Sequence, residues 1–267
     1  HMCLPEFAAF PVFKKQKNMN AYQQYSRRGF RGMPPVVMNL IIINALMLLI
    51  TELFKDKIDF YHLLGLYFFS SEWFESWQFV TYMFMHGDFY HLLFNMFALW
   101  MFGIVLEQVW GAKRFLTFYL VTGIGAGLVQ LLVAFFRINS FESALTPDQI
   151  NAVYNIAPDL WSDALIKTQA AADNMVALYR AVNTPTVGAS GAVFGILLAF
   201  GMLFPNTLIY VFFAIPIKAK YFVMIYGVLE LYYGVAGTSD GIAHFAHLGG
   251  MLFGYVLIRY WKKKGVY

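Results

Sequence analysis

The sequence is poor in charged residues, and this excludes a water-soluble globular protein. Only 13% of its 267 residues are charged, whereas soluble domains carry about 25%. In contrast, 60% of the residues are hydrophobic and 28 are Phe. A single aqueous core cannot bury that much apolar surface, so we expect an integral membrane protein embedded in a lipid bilayer.

The sequence is also nearly free of cysteine, with Cys3 alone. An intramolecular disulfide and a thiolate metal cluster are therefore excluded, and the redox compartment cannot be inferred. We expect no cofactor. The net charge of +4 does not indicate a nucleic-acid partner, because the basic residues stand beside apolar runs, where membrane orientation explains them better.

No apolar run of membrane-spanning length lies near the N-terminus. His1-Met2 is typical of a cloning remnant and carries no fold information. Residues 3–34 are mixed and basic, and the first long apolar run begins at Val36. We therefore expect residues 1–35 to form a basic cytoplasmic tail, without a cleavable signal peptide, followed by an uncleaved first span.

Six apolar runs follow, and most approach the ~20 residues that cross a bilayer. They are residues 36–54, 89–109, 115–136, 190–204, 219–235 and 242–261. The sequence thus predicts an all-α membrane protein, with a six-transmembrane-helix bundle over residues 36–261. Residues 262–267, which include three consecutive lysines, form a second basic cytoplasmic tail.

Two long connections differ from simple turns. Residues 55–88 are too polar to span but rich in aromatic rings, which favours a position in the headgroup layer. Residues 137–187 contain five acids and predict a helical insertion between helices 3 and 4, outside the bilayer. One helix starts at Thr146-Pro147-Asp148, and a second runs from Pro158 to about Val182.

The distribution of Lys and Arg predicts the orientation of the bundle. Six spans place both termini on one side, and the connections on that side carry most of the bases. These are the basic tail, Lys113, Arg114, Lys218, Lys220 and the lysines at 262–264. Connections 55–88 and 137–187 carry more acids than bases. The positive-inside rule therefore makes the termini cytoplasmic and the insertion extracytoplasmic.

Ser190 opens the fourth run within Gly188-Ala189-Ser190-Gly191. A serine at a helix start is ordinarily explained as a cap for free backbone N–H groups. His91, Asn95 and His247 lie at a similar depth in other spans, where polar side chains are costly. A functional site at Ser190 is therefore a second interpretation.

Glycine spacing brings two of these spans together. His247, Gly250 and Gly254 share one helical face, and the fourth span offers Gly191 and Gly195. Small residues at such spacing allow close helix packing in membranes, which would bring His247 toward Ser190.

These residue types support acyl transfer. A histidine can take the serine proton and return it to the leaving amine. By type, Asn95, His91 and the Ser190 backbone N–H can stabilise the tetrahedral oxyanion, the last because it lies at a helix start.

From Val36 to Trp261 the sequence resembles the rhomboid intramembrane serine proteases. The resemblance rests on four motifs in the family's order. They are Gly-x-Ser-Gly at Gly188 to Gly191, His-x₄-His-x₃-Asn at His86, His91 and Asn95, Ala-His-x-x-Gly-x-x-x-Gly at Ala246, His247, Gly250 and Gly254, and Gly-x-x-x-Glu at Gly103 and Glu107.

The resemblance implies an endopeptidase that cuts transmembrane or membrane-proximal segments of membrane proteins with a Ser190–His247 dyad. It implies His91, Asn95 and the Ser190 N–H as oxyanion donors. Phe194 stands where the family stacks an aromatic ring on the catalytic histidine. We expect a bacterial inner (plasma) membrane location, with the active site open to the extracytoplasmic side.

Two features depart from the family pattern. The family's first loop often carries Trp-Arg, here Trp77-Gln78, which leaves the anchoring of that loop open. The third loop is usually short, whereas here it is the insertion at 137–187. We expect the insertion to cover or shape the substrate entrance.

Several residues keep alternative roles. His244 rivals His247 as the base, although the glycine spacing favours His247. His86 is a loop hydrogen-bonding residue or an oxyanion donor. Glu230 is a bonded structural acid or a third member that orients His247. Glu107 is expected to tie the second span to the basic turn at 113–114.

A metal site made by His86, His91, His244 and His247 is not expected, because no carboxylate or thiol lies near them at helical spacing. Two other functions remain. One is a non-catalytic rhomboid-like protein that binds membrane clients for trafficking or degradation, although such relatives lack the nucleophile or the base. The other is a small-molecule transporter, which the short fourth span and the lack of repeated halves disfavour.

Overall fold

A computed structural model gives the structure of the protein and describes residues 32–155, 158, 161–211, 214–236 and 243–265. Most of the predicted N-terminal tail and residues 237–242, which end where the predicted sixth run begins, lie outside the described residues. The described chain is mostly helical. In chain order its helices are α1 (Pro35–Phe54), α2 (Phe60–Leu64), α3 (Gln78–Thr81), α4 (Phe89–Trp110), α5 (Ala112–Ser143), α6 (Pro147–Asn155), α7 (Asp163–Ile166), α8 (Gln169–Asn183), α9 (Ser190–Leu203), α10 (Ala219–Ala236) and α11 (His244–Lys263).

Three of the described helices, α1, α4 and α5, are long and apolar enough to cross a membrane. The protein is therefore an integral membrane protein. The bounds of α1 and α4 match the predicted first and second runs to within one residue. The shorter apolar helix α9 and the helices α10 and α11 occupy the other predicted runs.

The centre of the fold is formed by α5, α9 and α11, which pack against one another. Small residues on α5 make this possible, because a Cβ at Gly125 would overlap the ring of Phe253. Helix α5 continues seven residues beyond the predicted span. Its extension is held by the buried Ile138 and by Arg137, whose Nη2 donates to the Gly234 carbonyl at 3.0 Å. Tertiary contacts therefore prolong the helix beyond its apolar run.

The insertion is helical, as predicted, but its second helix is divided. Helix α6 begins with a capping box, since Gln149 Oε1 accepts from the Thr146 N–H at 2.9 Å and Thr146 Oγ1 accepts from the Gln149 N–H at 3.4 Å. The prediction of one helix from Pro158 to Val182 is wrong. Lys167 has a left-handed φ of 58° after α7, and Thr168 Oγ1 caps α8 by accepting from the Ala171 N–H at 3.1 Å.

The first loop is a folded unit anchored by Gln78, which is fully buried. Its Nε2 donates to the carbonyls of Trp73 (2.7 Å) and His62 (3.2 Å), and its Oε1 accepts from the Tyr67 N–H at 3.2 Å. A glutamine thus anchors the loop at the position where the family often has arginine. Trp77 remains 47% exposed, which suits the predicted interfacial position.

Residues 208–211 and 215–218 form a two-stranded sheet, so the all-α prediction is wrong here. Strands β1 (Leu208–Val211) and β2 (Ile215–Lys218) pair antiparallel, with Leu208 opposite Lys218 and Val211 opposite Ile215. The β-branched residues of this run favour strand. Pro216 is compatible with a two-stranded ribbon because each strand has an unpaired edge.

Glu107 stabilises α1 rather than the basic turn that the sequence predicted. Its two carboxylate oxygens accept from the backbone N–H groups of Val36 (3.0 Å) and Val37 (2.8 Å). These groups lie in the first turn of α1, where N–H groups lack helical partners and a negative charge is favourable. Glu107 is thus structural, but with a different partner.

Candidate active site

Ser190 is the first residue of α9, at the end of a fixed loop. Thr186 exchanges two backbone hydrogen bonds with Leu66, and the Gly188 N–H donates to the Tyr82 carbonyl at 2.9 Å. Gly188 has a φ of +126°, which L side chains rarely adopt, and a Cβ there would lie 2.8 Å from His91 Nε2. Glycine at 188 therefore lets the serine loop lie against His91.

The hydroxyl of Ser190 contacts a histidine. Ser190 Oγ lies 2.8 Å from His247 Nε2, and His247 is only 8% exposed. The N-cap position of α9 belongs to Ala189, so the explanation of Ser190 as a helix cap is wrong. The ring at hydrogen-bond distance from the serine is that of His247 and not that of its predicted rival His244.

The close crossing of α9 and α11 places these two side chains together. A Cβ at Gly250 would overlap the Gly191 carbonyl, and a Cβ at Gly195 would lie 3.0 Å from the Gly250 carbonyl oxygen. A Cβ at Gly254 would lie 3.3 Å from Gly195 Cα. The crossing is thus made at the glycines whose spacing predicted it.

Phe194 covers one face of the histidine. The Phe194 and His247 rings are stacked, with centroids 4.2 Å apart and an interplanar angle of 5°. Phe194 lies one helical turn after Ser190, so the same helix that supplies the hydroxyl also restrains the imidazole.

Behind the histidine lies a carboxylate. Glu230 Oε2 is 2.9 Å from His247 Nδ1 and 2.7 Å from His244 Nδ1, and the three side chains are at most 12% exposed. The contact between Glu230 and His244 meets both the distance and the angle of a hydrogen bond. The contact between Glu230 and His247 is short enough for a hydrogen bond, but its angle is unfavourable. His244 is the first residue of α11 and is buried.

Glu230, His244 and His247 could in principle hold a metal ion, since their ligand atoms lie within 4.8 Å of one another. Glu230 lies on α10 and not at helical spacing from the histidines of α11, so the expectation of no metal site did not take it into account. The spacing nevertheless fits hydrogen bonding better, because adjacent ligands around tetrahedral zinc stand about 3.3 Å apart. Both nitrogens lie closer than that to the one carboxylate oxygen.

His91 and Asn95 occupy the start of α4. Asp88 caps this helix by accepting from the His91 N–H at 2.9 Å, and that bond lowers the pKa of Asp88. The Asn95 Nδ2 donates to the His91 carbonyl at 2.9 Å. His91 Nδ1 accepts a long hydrogen bond of 3.4 Å from the Gly87 N–H, which leaves the proton on Nε2, the nitrogen beside Gly188.

His86 is almost fully buried and edge-on to His91, with the two ring centroids 5.0 Å apart. Burial, and then the neighbouring His91, lower its pKa to about 3. Its carbonyl accepts from the Tyr61 hydroxyl at 2.9 Å. The role of the His86 ring as a loop hydrogen-bonding group or an oxyanion donor stays a prediction.

Sequence reasoning missed two residues that position the site. Asp88 stands directly before an apolar helix, which is a typical N-cap signal. Tyr82 accepts from Gly188 through its carbonyl and donates through its hydroxyl to the Gly123 carbonyl at 2.6 Å. Tyr82 has no comparable sequence signal, because its partners are distant in the chain.

Most of the chain is similar to known proteins. Residues 73–138 and 162–264 match the Rhomboid domain. The chain is 29% identical over 186 residues to Rhomboid protein 1, mitochondrial, of Saccharomyces cerevisiae, covering 68% of this chain and 41% of that protein. It is 25% identical over 186 residues to Rhomboid protease AarA of Providencia stuartii, covering 68% and 54%.

A third relative extends the match. RHOMBOID-like protein 12, mitochondrial, of Arabidopsis thaliana is 25% identical over 249 residues, covering 89% of this chain and 63% of the relative. The chain spans about half the length of the first two relatives, so their activities concern larger proteins. The domain match covers more than half of the chain, and the chain therefore belongs to the rhomboid family.

Proposed function

We propose that this protein is an intramembrane serine endopeptidase that cleaves transmembrane or membrane-proximal segments of other membrane proteins. The 2.8 Å contact between Ser190 Oγ and His247 Nε2 carries the proposal. Membership of a family that includes a protein named as a protease supports it. Ser190 is the nucleophile and His247 is the general base and acid.

In the first half-reaction, His247 Nε2 takes the hydroxyl proton while Ser190 Oγ attacks the carbonyl carbon of the scissile peptide bond. The tetrahedral intermediate collapses when the imidazolium gives that proton to the leaving amine. Water then attacks the acyl-enzyme with the same base, which releases the second product and restores the serine.

The oxyanion of the intermediate is stabilised by donors on two helices. The Ser190 N–H lies in the first turn of α9, where it has no helical acceptor. His91 Nε2 carries a proton and lies against Gly188, and the Asn95 amide has a second N–H beyond the one bonded to His91. Donors already in place stabilise developing charge without reorganisation.

The substrate must expose its peptide bond to this site. A helical amide is hydrogen-bonded and shielded, so helix-destabilising and small residues near the scissile bond favour cleavage. The long insertion covers or shapes the entrance by which the substrate reaches the active site, since its end leads directly into the Ser190 loop. Deletion of residues 141–182 tests this, because unchanged cleavage of every substrate would remove the role.

The proposed topology has six spans, α1, α4, α5, α9, α10 and α11. Both termini are cytoplasmic, and the insertion and the water-accessible site are extracytoplasmic. The basic turn at 113–114 and the lysines at 262–264 support this orientation. We place the protein in a bacterial plasma membrane. Its relatives include mitochondrial proteins, so fractionation of the native host is the direct test.

The activity is tested with purified protein in liposomes that also contain a single-span substrate with helix-breaking residues in its span. Wild type is expected to give two fragments, and Ser190→Ala and His247→Ala are expected to give none. Fluorophosphonate labelling of Ser190 provides a second readout that needs no substrate recognition. Cleavage that persists in both variants would exclude the dyad.

A non-catalytic client-binding role is distinguished by the same experiment. A protein of that kind would co-purify with membrane clients but would neither cut them nor react with the fluorophosphonate. Because both nucleophile and base are present and in contact, labelling of the wild type and absence of labelling in Ser190→Ala are the expected results.

A further inference from the structure

Glu230 is a buried acid that the dyad mechanism does not use. It lies on α10, which packs against both α9 and α11. A carboxylate among apolar helices is costly unless it is paired. Its Oε2 is within hydrogen-bond distance of two imidazole Nδ1 atoms, from His244 at 2.7 Å and from His247 at 2.9 Å.

The contact with His247 is on the side of the ring opposite the serine. A neutral imidazole carries one proton, on Nδ1 or on Nε2. A carboxylate facing Nδ1 favours the tautomer with the proton there. Nε2 then presents its lone pair to Ser190 Oγ at 2.8 Å, as a base requires.

The same carboxylate stabilises the product of the proton transfer. When His247 accepts the serine proton it becomes a cation, and Glu230 provides the opposite charge at 2.9 Å. The alignment of this contact is imperfect in the resting structure. Catalytic hydrogen bonds are often poorly aligned in free enzymes and tighten as charge develops.

His244 holds the carboxylate in place. Its hydrogen bond is the shorter of the two, and its ring lies near Tyr233 on α10, with centroids 5.7 Å apart. Among the described residues, the titratable groups that face His247 are Glu230 from α10, His244 from its own helix and His91 from α4. Among them, Glu230 supplies the negative charge.

We propose that Glu230 is a positioning residue that extends the Ser190–His247 dyad to a triad, with His244 fixing the Glu230 carboxylate. The inference rests on the proposed peptidase activity. Phe194 stacks on the face of the His247 ring, Ser190 contacts its Nε2, and Glu230 contacts its Nδ1 and so favours the tautomer with the proton on that atom.

The test compares wild type with Glu230→Gln, which keeps the size and removes the charge. We expect kcat to fall on the order of 10- to 100-fold, as for outer partners of metal-bound histidines, with KM unchanged. This is less than the roughly 10⁴-fold loss for a fully aligned triad carboxylate, because the resting contact is imperfectly aligned. The acidic limb of the pH profile of kcat/KM should move to lower pH, because the protonated base has lost its counter-charge. Glu230→Asp, which keeps the charge, should retain the wild-type limb and recover part of kcat.

Glu52→Gln is the matched control. Glu52 is exposed and pairs with Lys55 at 3.1 Å, so the same substitution there should leave kcat and the pH profile unchanged. His244→Gln should lower kcat less than Glu230→Gln and leave the acidic limb in place, because the carboxylate remains. All rates are taken per folded molecule, from the melting profile of each variant in detergent.

The possible results separate the two proposals. If wild type neither cleaves nor reacts with fluorophosphonate, the proposed function fails. If wild type cleaves through Ser190 but Glu230→Gln has the wild-type kcat and pH profile per folded molecule, the dyad stands and the triad is wrong. A loss of kcat that is equal in Glu230→Gln and Glu230→Asp, with the acidic limb unmoved in both, assigns Glu230 a packing role and also overturns the triad.

Discussion

Glycine-to-alanine substitutions at the crossing of α9 and α11 test how the distance between these helices affects the rate of the reaction at Ser190. In Gly250→Ala the new Cβ would overlap the Gly191 carbonyl, and that atom is backbone, which cannot rotate away. Helices α9 and α11 must therefore separate by on the order of 1 Å, at an overpacking cost of about 1–3 kcal/mol. The 2.8 Å contact between Ser190 Oγ and His247 Nε2 spans the same two helices and lengthens with them.

The expected loss of activity exceeds the loss of stability. A contact of about 3.6 Å or more is no longer a hydrogen bond, and a misplacement of about 1 Å can cost roughly 100-fold in rate. We therefore expect Gly250→Ala to remain folded with a lowered melting temperature. Its kcat and its rate of fluorophosphonate labelling should both fall on the order of 100-fold.

Two other glycines calibrate the result. A Cβ at Gly254 would lie 3.3 Å from Gly195 Cα, which requires only a small shift, so Gly254→Ala should have a milder effect. At Gly227 the nearest atom is the flexible end of Met251, at 3.3 Å. Gly227→Ala should be neutral or more stable by about 0.5–1 kcal/mol, from helix propensity. Labelling of Gly250→Ala at the rate of Gly227→Ala would refute the reasoning.

Three further predictions concern stability. Gln78→Leu removes the donor and the acceptor that anchor the first loop. It should lower the free energy of unfolding by about 1–3 kcal/mol for each buried group left unpaired, and denaturant titration measures this loss. Glu107→Gln should weaken the first turn of α1 by about 0.5–2 kcal/mol while the cleavage rate per folded molecule stays at the wild-type value. The pKa of His86 falls from 6.5 to about 3 on folding, so the unfolded chain binds the extra proton and stability is lost as pH falls from 6.5 toward 3. His86→Gln should flatten this loss in melting temperatures recorded across that pH range, and an unchanged slope would contradict the assignment.

Features set by local chemistry were predictable from the sequence. The bounds of α1, α4 and α9 follow from the lengths of apolar runs and from turn residues at their ends. The contact between α9 and α11 follows from glycines at fixed helical spacing. In both cases the signal lies within one helix, where periodicity is visible.

Features set by distant packing were not predictable. Glu107 lies 71 residues from Val36, and nothing in either segment identifies the other as its partner. The sequence left Glu230 as either a structural acid or a group that orients His247, because its distance to the ring depends on how α10 packs against α11, which no spacing within one helix encodes. The paired strands at 208–211 and 215–218 and the break at Lys167 were missed because apolar content and helix propensity describe tendencies, which tertiary contacts override.

The two backbone hydrogen bonds between Leu66 and Thr186 hold the serine loop against the first loop, after the last helix of the insertion, α8. These hydrogen bonds position the Ser190 loop. Its position therefore does not depend on the covalent connection to α5 through the segment from α6 to α8. The protein should accordingly tolerate being expressed as two fragments divided between Asn155 and Trp161. The two fragments should reassemble through the packing of α5, α9 and α11 and recover cleavage. A foreign domain inserted at the same point should likewise leave cleavage intact.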